Sequence, residues 1–157
     1  MFDLIIVDLD HTIRRPLNGA TFAETPEDQE PINQYIYEEN KGAKFFGYSN
    51  QAGIQMGYKT HSDTVRECII TMDQQPHLDG IAFCPDFDGD ELCIVLRGGL
   101  AYSIFSEDGG YRKPDSKGIL EIIEGIYNIP LDKVKMYGDR MEDETAAKAV
   151  NIEFEYV

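Results

Sequence analysis

Two carboxylates two residues apart, Asp8 and Asp10, close the stretch FDLIIVDLDHT directly after the apolar run Leu4, Ile5, Ile6 and Val7. Ionised carboxylates at the end of a buried strand repel each other and lose hydration, so something must compensate them. Three further polar clusters follow: Ser49 and Asn50 in YSNQAGI, Lys113 in YRKPDSKG, and Asp139 with Asp143 in GDRMED. Taken singly each has a plain structural reading: Asp8 and Asp10 as turn residues, Ser49-Asn50 as a loop, Lys113 as a charge before a proline, Asp143 as a helix-start carboxylate favoured by the helix dipole. As an ordered set they form a constellation of carboxylates, a hydroxyl and one ammonium.

The elements that must carry these residues alternate between strand-like and helical patterns, which predicts an α/β fold: a three-layer, Rossmann-like parallel sheet flanked by helices, in a single domain spanning 1–157. Leu4–Val7 reads as a strand buried on both faces. Residues 14–31 form a long polar loop, of a length uncommon in compact domains unless it serves a site. Pro31 opens an expected helix with Ile32, Tyr35, Ile36 and Glu39 at helical spacing, which Gly42 stops. AKFFGYS is the second strand, and a helix from about 62 to 74 carries the apolar stripe Val65, Ile69, Met72. GIAFC is the third strand, residues 85–111 a small β insertion built on LCIVL and AYSIF, DSKGILEIIEGIYN an amphipathic helix, and KVKMYGD the fourth strand. A last helix, EDETAAKAVN, leads into a closing strand, IEFEYV. The polar clusters thus fall just after apolar strands or in loops of the same kind, and an open α/β sheet binds ligands outside the carboxyl ends of its strands.

Composition sets the surroundings. With 42% apolar and 27% charged residues the chain reads as a globular protein, and its formal charge of −15 argues against bulk affinity for nucleic acid or anionic lipid. No apolar run approaches the ~18 residues of a membrane span, and no basic region precedes an apolar core at the N-terminus. Cys68, Cys84 and Cys93 are few and odd in number, which fits a reducing compartment. A cytoplasmic protein with no membrane partner is expected, and the sequence is silent on its oligomeric state.

The four clusters resemble the motifs of haloacid-dehalogenase-like (HAD) phosphohydrolases: Asp-x-Asp-x-Thr at Asp8, Asp10 and Thr12, the serine after the second strand at Ser49, the lysine before a helix at Lys113, and the acidic pair at Asp139 and Asp143. The match covers nearly the whole chain apart from 14–31 and 85–111, without a large cap domain. SNQAGI with RKP further resembles the subgroup of histidinol-phosphate, heptose-bisphosphate and polynucleotide 3′-phosphatases. That resemblance implies a Mg²⁺-dependent phosphatase. Asp8 would be nucleophile and metal ligand, forming an aspartyl-phosphate. Asp10 would be acid/base, with its main-chain carbonyl a further ligand, and Asp139 and Asp143 would complete the metal site. Ser49 and the amides around Asn50 would hold the phosphoryl oxygens, and Lys113 would neutralise developing charge. Thr12, Asn50, Arg14 and Arg112 are candidate substrate-binding residues. The physical chemistry agrees, because a transferring phosphoryl group among carboxylates needs a cation, and Mg²⁺ takes oxygen ligands.

Other residues are less decisive. His11 stands where a glycine is common in such families and is expected to narrow or tune the site. Cys84 and Cys93, with His77 on the wrong side and GGY before RKP, do not make up a tetrahedral zinc site. DFDGDE has its glycine misplaced for a calcium loop and reads as a hairpin turn. Four of the six arginines, Arg14, Arg15, Arg112 and Arg140, lie beside the motifs, either as solvated charges or as a second anion pocket. The expected substrate is a small phosphorylated metabolite such as a sugar or amino-alcohol phosphate. A nucleic-acid 3′-phosphate end is the alternative, disfavoured by the net charge, and a non-catalytic module of the same fold is a third reading.

Overall fold

Side-chain alternation along the first strand decides the layering. In the computed structural model, which describes residues 1–157, Leu4 and Ile6 face one apolar cluster and Ile5 and Val7 another, all fully buried. The elements are β1 (Leu4–Val7), β2 (Arg14–Arg15), β3 (Glu30–Pro31), α1 (Tyr35–Glu39), β4 (Lys44–Asn50), α2 (His61–Gln74), β5 (Leu78–Cys84), β6 (Glu91–Leu96), β7 (Ala101–Phe105), α3 (Lys117–Leu120), β8 (Val134–Gly138), α4 (Met141–Ala149) and β9 (Glu153–Tyr156). Seven strands form one sheet in the order β7-β6-β5-β4-β1-β8-β9, a three-layer α/β arrangement with a mostly parallel sheet. β1 lies between β4 and β8, parallel to both, with Ile5 opposite Phe45 and Lys135.

One face packs on α3 and the turns that continue it over Glu121–Tyr127, through Ile119, Ile122 and Ile123, and on α4 through Ala146 and Ala147. The other packs on α1 and α2 through Ile36, Tyr37, Cys68 and Met72. No helix is long and apolar enough to cross a membrane.

Several elements depart from the sequence reading. The first helix begins at Tyr35, not at Pro31. Pro31 pairs with Arg14 in a short antiparallel ladder, and Asn33 takes φ 50°, so the chain cannot coil before Gln34. Residues 14–31 are therefore a hairpin-like flap closed at its base by β2 and β3. The insertion at 85–111 does carry the two expected strands, and they join the main sheet, β6 pairing antiparallel with β5 and β7 with β6. Cys84, at the end of β5, and Cys93, in β6, diverge, the first joining one apolar cluster and the second the other. The helix expected through Ile126 starts as α3 and widens into π-helical turns over Glu121–Tyr127, ending at Asn128 with φ 56°. In α2 the buried residues are Thr64, Glu67, Cys68, Thr71 and Met72, a more polar face than the expected stripe.

Candidate active site

The carboxyl ends of β1, β4 and β8 are adjacent, so the residues that follow them converge. β1 delivers Asp8, β4 delivers Ser49 and Asn50, β8 delivers Asp139, and the first turn of α4 adds Asp143. Lys113 enters from the loop between β7 and α3. Carboxylate oxygens of Asp8, Asp139 and Asp143 lie within 4.8 Å of one another.

The lysine is the centre of the arrangement. Its side chain is 2% exposed, and its Nζ lies 2.8 Å from Asp8 Oδ1 and 2.7 Å from Asp143 Oδ1. It also donates to the Tyr48 carbonyl at 2.9 Å. Burial works to lower the pKa of this ammonium, but Asp8 and Asp143 outweigh it and raise the pKa above the ordinary lysine value, so the charge persists. Two positions fix the geometry. Asn50 accepts from the Lys113 amide at 3.0 Å and donates to its carbonyl at 2.9 Å, clamping the backbone that carries the ammonium. Gly138 lets Asp143 approach β8: a Cβ there would stand 2.5 Å from Asp143 Oδ2.

Charge among the acids is unevenly compensated. Burial raises the Asp139 carboxyl to about 6, reinforced by Asp8 and Asp143 and opposed by Arg140. Burial also raises Asp143, with Lys113 pulling it down and Asp8 pushing it up. Asp143 additionally accepts from the Arg140 amide at 3.2 Å, so the metal-candidate carboxylate is also the helix-start carboxylate of α4. Three carboxylates around one ammonium leave an excess of negative charge, and oxygen donors in this number and spacing suit a hard divalent cation such as Mg²⁺.

Thr12 is fully buried, donating 2.9 Å to Asp8 Oδ2, and it orients the acid instead of facing a substrate. Ser49 accepts from Gln51 Nε2 at 2.7 Å. The Gln51 amide is already bound to the Cys84 carbonyl. Asn50, expected to meet substrate, has both side-chain polar atoms on Lys113. Arg14 departs furthest from expectation. It is 2% exposed and each of its three guanidinium nitrogens donates inside the protein, to Asp10, Thr71 and Glu67, so it is an internal ion-pair partner turned away from any ligand.

Asp10 stands at the rim, its side chain about half open, with Arg14 Nε on Oδ1 at 2.9 Å and Gln51 Nε2 on Oδ2 at 3.0 Å. Burial pushes its carboxyl up, but Arg14, helped by Lys59 and Gln51, more than offsets this and holds it below the ordinary carboxylate range.

The other arginines are dispersed. Arg15 pairs with Glu30 at 2.8 Å, and Arg140 is the exposed N-cap of α4. Arg112 lies over the Phe87 ring at 5.2 Å with its buried Nη1 unpartnered. His11, at φ 64°, turns its ring into the flap, Nε2 meeting the Thr21 carbonyl at 2.9 Å. With Arg15, Pro16, Leu17, Gly19, Ala20 and Glu30 it lines an open cleft of about 350 Å³ on the flap, which none of the clustered acids, Ser49 or Lys113 lines.

Sequence reasoning missed Gln51, Lys59 and Glu67. The available signal was Glu67, a charge on the face of α2 that also carries Thr64, Cys68 and Thr71.

No model of a known protein family matches the chain, and no characterised protein matches it in sequence. Solved structures do match in fold. A D,D-heptose 1,7-bisphosphate phosphatase from B. bronchiseptica, crystallised with magnesium and phosphate, aligns with TM-score 0.67 over 98% of this chain and 79% of its own, at 19% identity. A Mesorhizobium loti protein assigned as a HAD-like phosphatase aligns with TM-score 0.63 over 96% of this chain and 69% of its own, at 17% identity. The chain shares its fold with these two proteins.

Proposed function

We propose that the chain is a Mg²⁺-dependent phosphomonoester hydrolase working through an aspartyl-phosphate on Asp8. The observation that carries this reading is the buried Lys113 ammonium held between Asp8 and Asp143, with Asp139 alongside, at the carboxyl ends of the parallel strands. Such a site has an excess of negative charge at rest, which a divalent cation would balance before an anionic phosphoryl group approaches.

Asp8, Asp139 and Asp143, with the main-chain carbonyl of Asp10, would hold Mg²⁺, which supplies the positive charge that lets a carboxylate approach an anionic phosphate. Asp8 then forms a bond to phosphorus as the ester P–O bond breaks and its electron pair leaves with the alcohol oxygen. Asp10, held ionised at rest by Arg14, would gain proton affinity beside an incoming anionic phosphate, deliver a proton to that oxygen and, ionised again, take one from the attacking water. The water oxygen bonds to phosphorus, the bond to Asp8 breaks, and phosphate departs with the nucleophile restored. Ser49 binds a phosphoryl oxygen, and Lys113 neutralises charge that grows during transfer. Arg112, with its buried unpartnered nitrogen, is the remaining candidate to bind the rest of the substrate.

The net charge of −15 favours a small phosphorylated metabolite over a polynucleotide end as the substrate. Turnover on a broad phosphoester panel with Mg²⁺, including p-nitrophenyl phosphate and 3′-phosphorylated oligonucleotides, tests the reading. Hydrolysis of small esters that Asp8→Asn abolishes without unfolding the protein is the expected result. No turnover of any ester would overturn it, and a strong preference for oligonucleotide ends would overturn the substrate class.

A further inference from the structure

Asp10 belongs to a closed ring of five side chains. Arg14 donates through Nε to Asp10 Oδ1 at 2.9 Å and through Nη2 to Glu67 Oε1 at 2.5 Å. The other Glu67 oxygen accepts from Lys59 Nζ at 3.0 Å. Lys59 reaches Gln51 Oε1 at 2.9 Å, and Gln51 Nε2 returns to Asp10 Oδ2 at 3.0 Å. Two anions, two cations and one neutral amide make the ring electrically neutral, so it can be largely withdrawn from water without an unpaired charge. The orientation of Gln51 is dictated by its neighbours: Lys59 can only donate and ionised Asp10 can only accept. The same Gln51 nitrogen also bonds Ser49 at 2.7 Å, tying the ring to the end of β4.

Both oxygens of Asp10 are thereby fixed, each keeping a second lone pair. Glu67 sits on α2, opposite Asp10 in the ring. It is the member that binds both cations, and its side chain is 8% exposed.

We propose that Glu67 is a positioning residue for Asp10, acting through Arg14 and Lys59 to aim the carboxylate at the water that cleaves the aspartyl-phosphate. The proposal rests on the phosphatase reading above. Its consequence is a division between the two half-reactions. Transfer of phosphate from p-nitrophenyl phosphate to Asp8 releases an anion that departs without a proton, so it does not need an aimed Asp10. Hydrolysis of the intermediate does.

The test is rapid-quench kinetics with p-nitrophenyl phosphate and Mg²⁺ on Glu67→Gln, measuring the two steps separately. The expected result is that phosphoryl transfer to the protein changes less than about threefold. Hydrolysis slows at least about tenfold, a share of the 10²–10⁴ that acid–base groups contribute, and phosphate-labelled protein accumulates. Lys59→Met opens the ring at its more solvent-accessible side while leaving Arg14 paired. It gives the same ordering in a protein that keeps its fold even where Glu67→Gln does not. Equal losses in both steps, or unchanged hydrolysis in either variant, overturn the proposal while leaving the phosphatase reading intact. Wild-type protein that neither turns over the ester nor takes up phosphate overturns the reading itself and this proposal with it.

Discussion

Replacing Lys113 with methionine removes one positive charge and keeps much of the apolar stem. In the wild type the ammonium is 2% exposed and touches two carboxylates whose side chains are 11% and 3% exposed, so water cannot substitute for it. At separations of 2.8 and 2.7 Å a unit charge pair is worth roughly 6 kcal/mol at an effective dielectric of 20. Deleting one partner of a buried pair costs about 3–5 kcal/mol because the remaining charge is left uncompensated. For a chain of this size each kcal/mol moves the midpoint about 2–4 °C, so the metal-free variant should melt on the order of 10 °C lower. The cause is specific, and so is its pH dependence. Burial already raises the Asp143 carboxyl and Lys113 pulls it down, so without Lys113 its folded-state pKa stands further above the unfolded value. A carboxyl raised in this way destabilises the fold at high pH and relieves it on protonation, so the deficit should shrink from about pH 8 towards pH 5. Added Mg²⁺ should shrink it too, by restoring positive charge to the cluster. Turnover should fall about 10²–10³-fold, the usual loss for one electrostatic contact to a transition state. Thermal unfolding across pH, with and without Mg²⁺, and phosphatase assays check this together. A variant within 1 kcal/mol of wild type that keeps a tenth of its activity would refute the role given to the lysine.

The wild-type site should show its own proton–metal competition. Asp139 titrates near 6 when folded, mainly through burial, so metal-free protein gains stability as pH falls through that value and loses it as pH rises. The Mg²⁺-induced rise in midpoint should therefore be largest above about pH 7 and shrink below about pH 6, and a rise that is flat with pH would contradict this. Gly138→Ala places a methyl 2.6 Å from Asp143 Cβ, so α4 or β8 must shift. A stability loss of about 1–3 kcal/mol with at least tenfold lower activity is expected, read by denaturant titration and assay.

The parts of this site that could be read from the sequence are those written along one strand end at a time. Asp8 and Asp10 follow β1, Ser49 closes β4, and Asp139 follows β8, so linear motifs and apolar runs located them. The pairing of the 85–111 segment with β5 was not legible, because alternation marks a strand without marking its neighbour. The start of α1 was misread because Pro31 suits a helix's first turn and an edge strand equally well. Pairing with Arg14 and the left-handed Asn33 decided between them. The ring behind Asp10 was hidden for a different reason: Lys59 and Glu67 come from a segment with no motif, and only the packing of α2 over the flap base brings them to Arg14.

The fate of the arginines bears on what the site can recognise. Their clustering beside the motifs allowed a positively charged rim in a chain whose net charge is −15. A rim needs exposed, unpaired cations, and half of the four are already neutralised: Arg14 by Asp10 and Glu67, Arg15 by Glu30. Arg140 and Arg112 remain, and Arg112 is turned onto Phe87 with only part of its guanidinium free. Two such groups cannot neutralise the several phosphates over which polynucleotide binding is distributed, against a surface otherwise rich in Asp and Glu. They are enough to orient one small anionic or hydroxyl-bearing group. Because the ring commits Arg14 to Asp10, the charges that remain suit, on the phosphatase reading proposed above, a single phosphate better than a long polyanion.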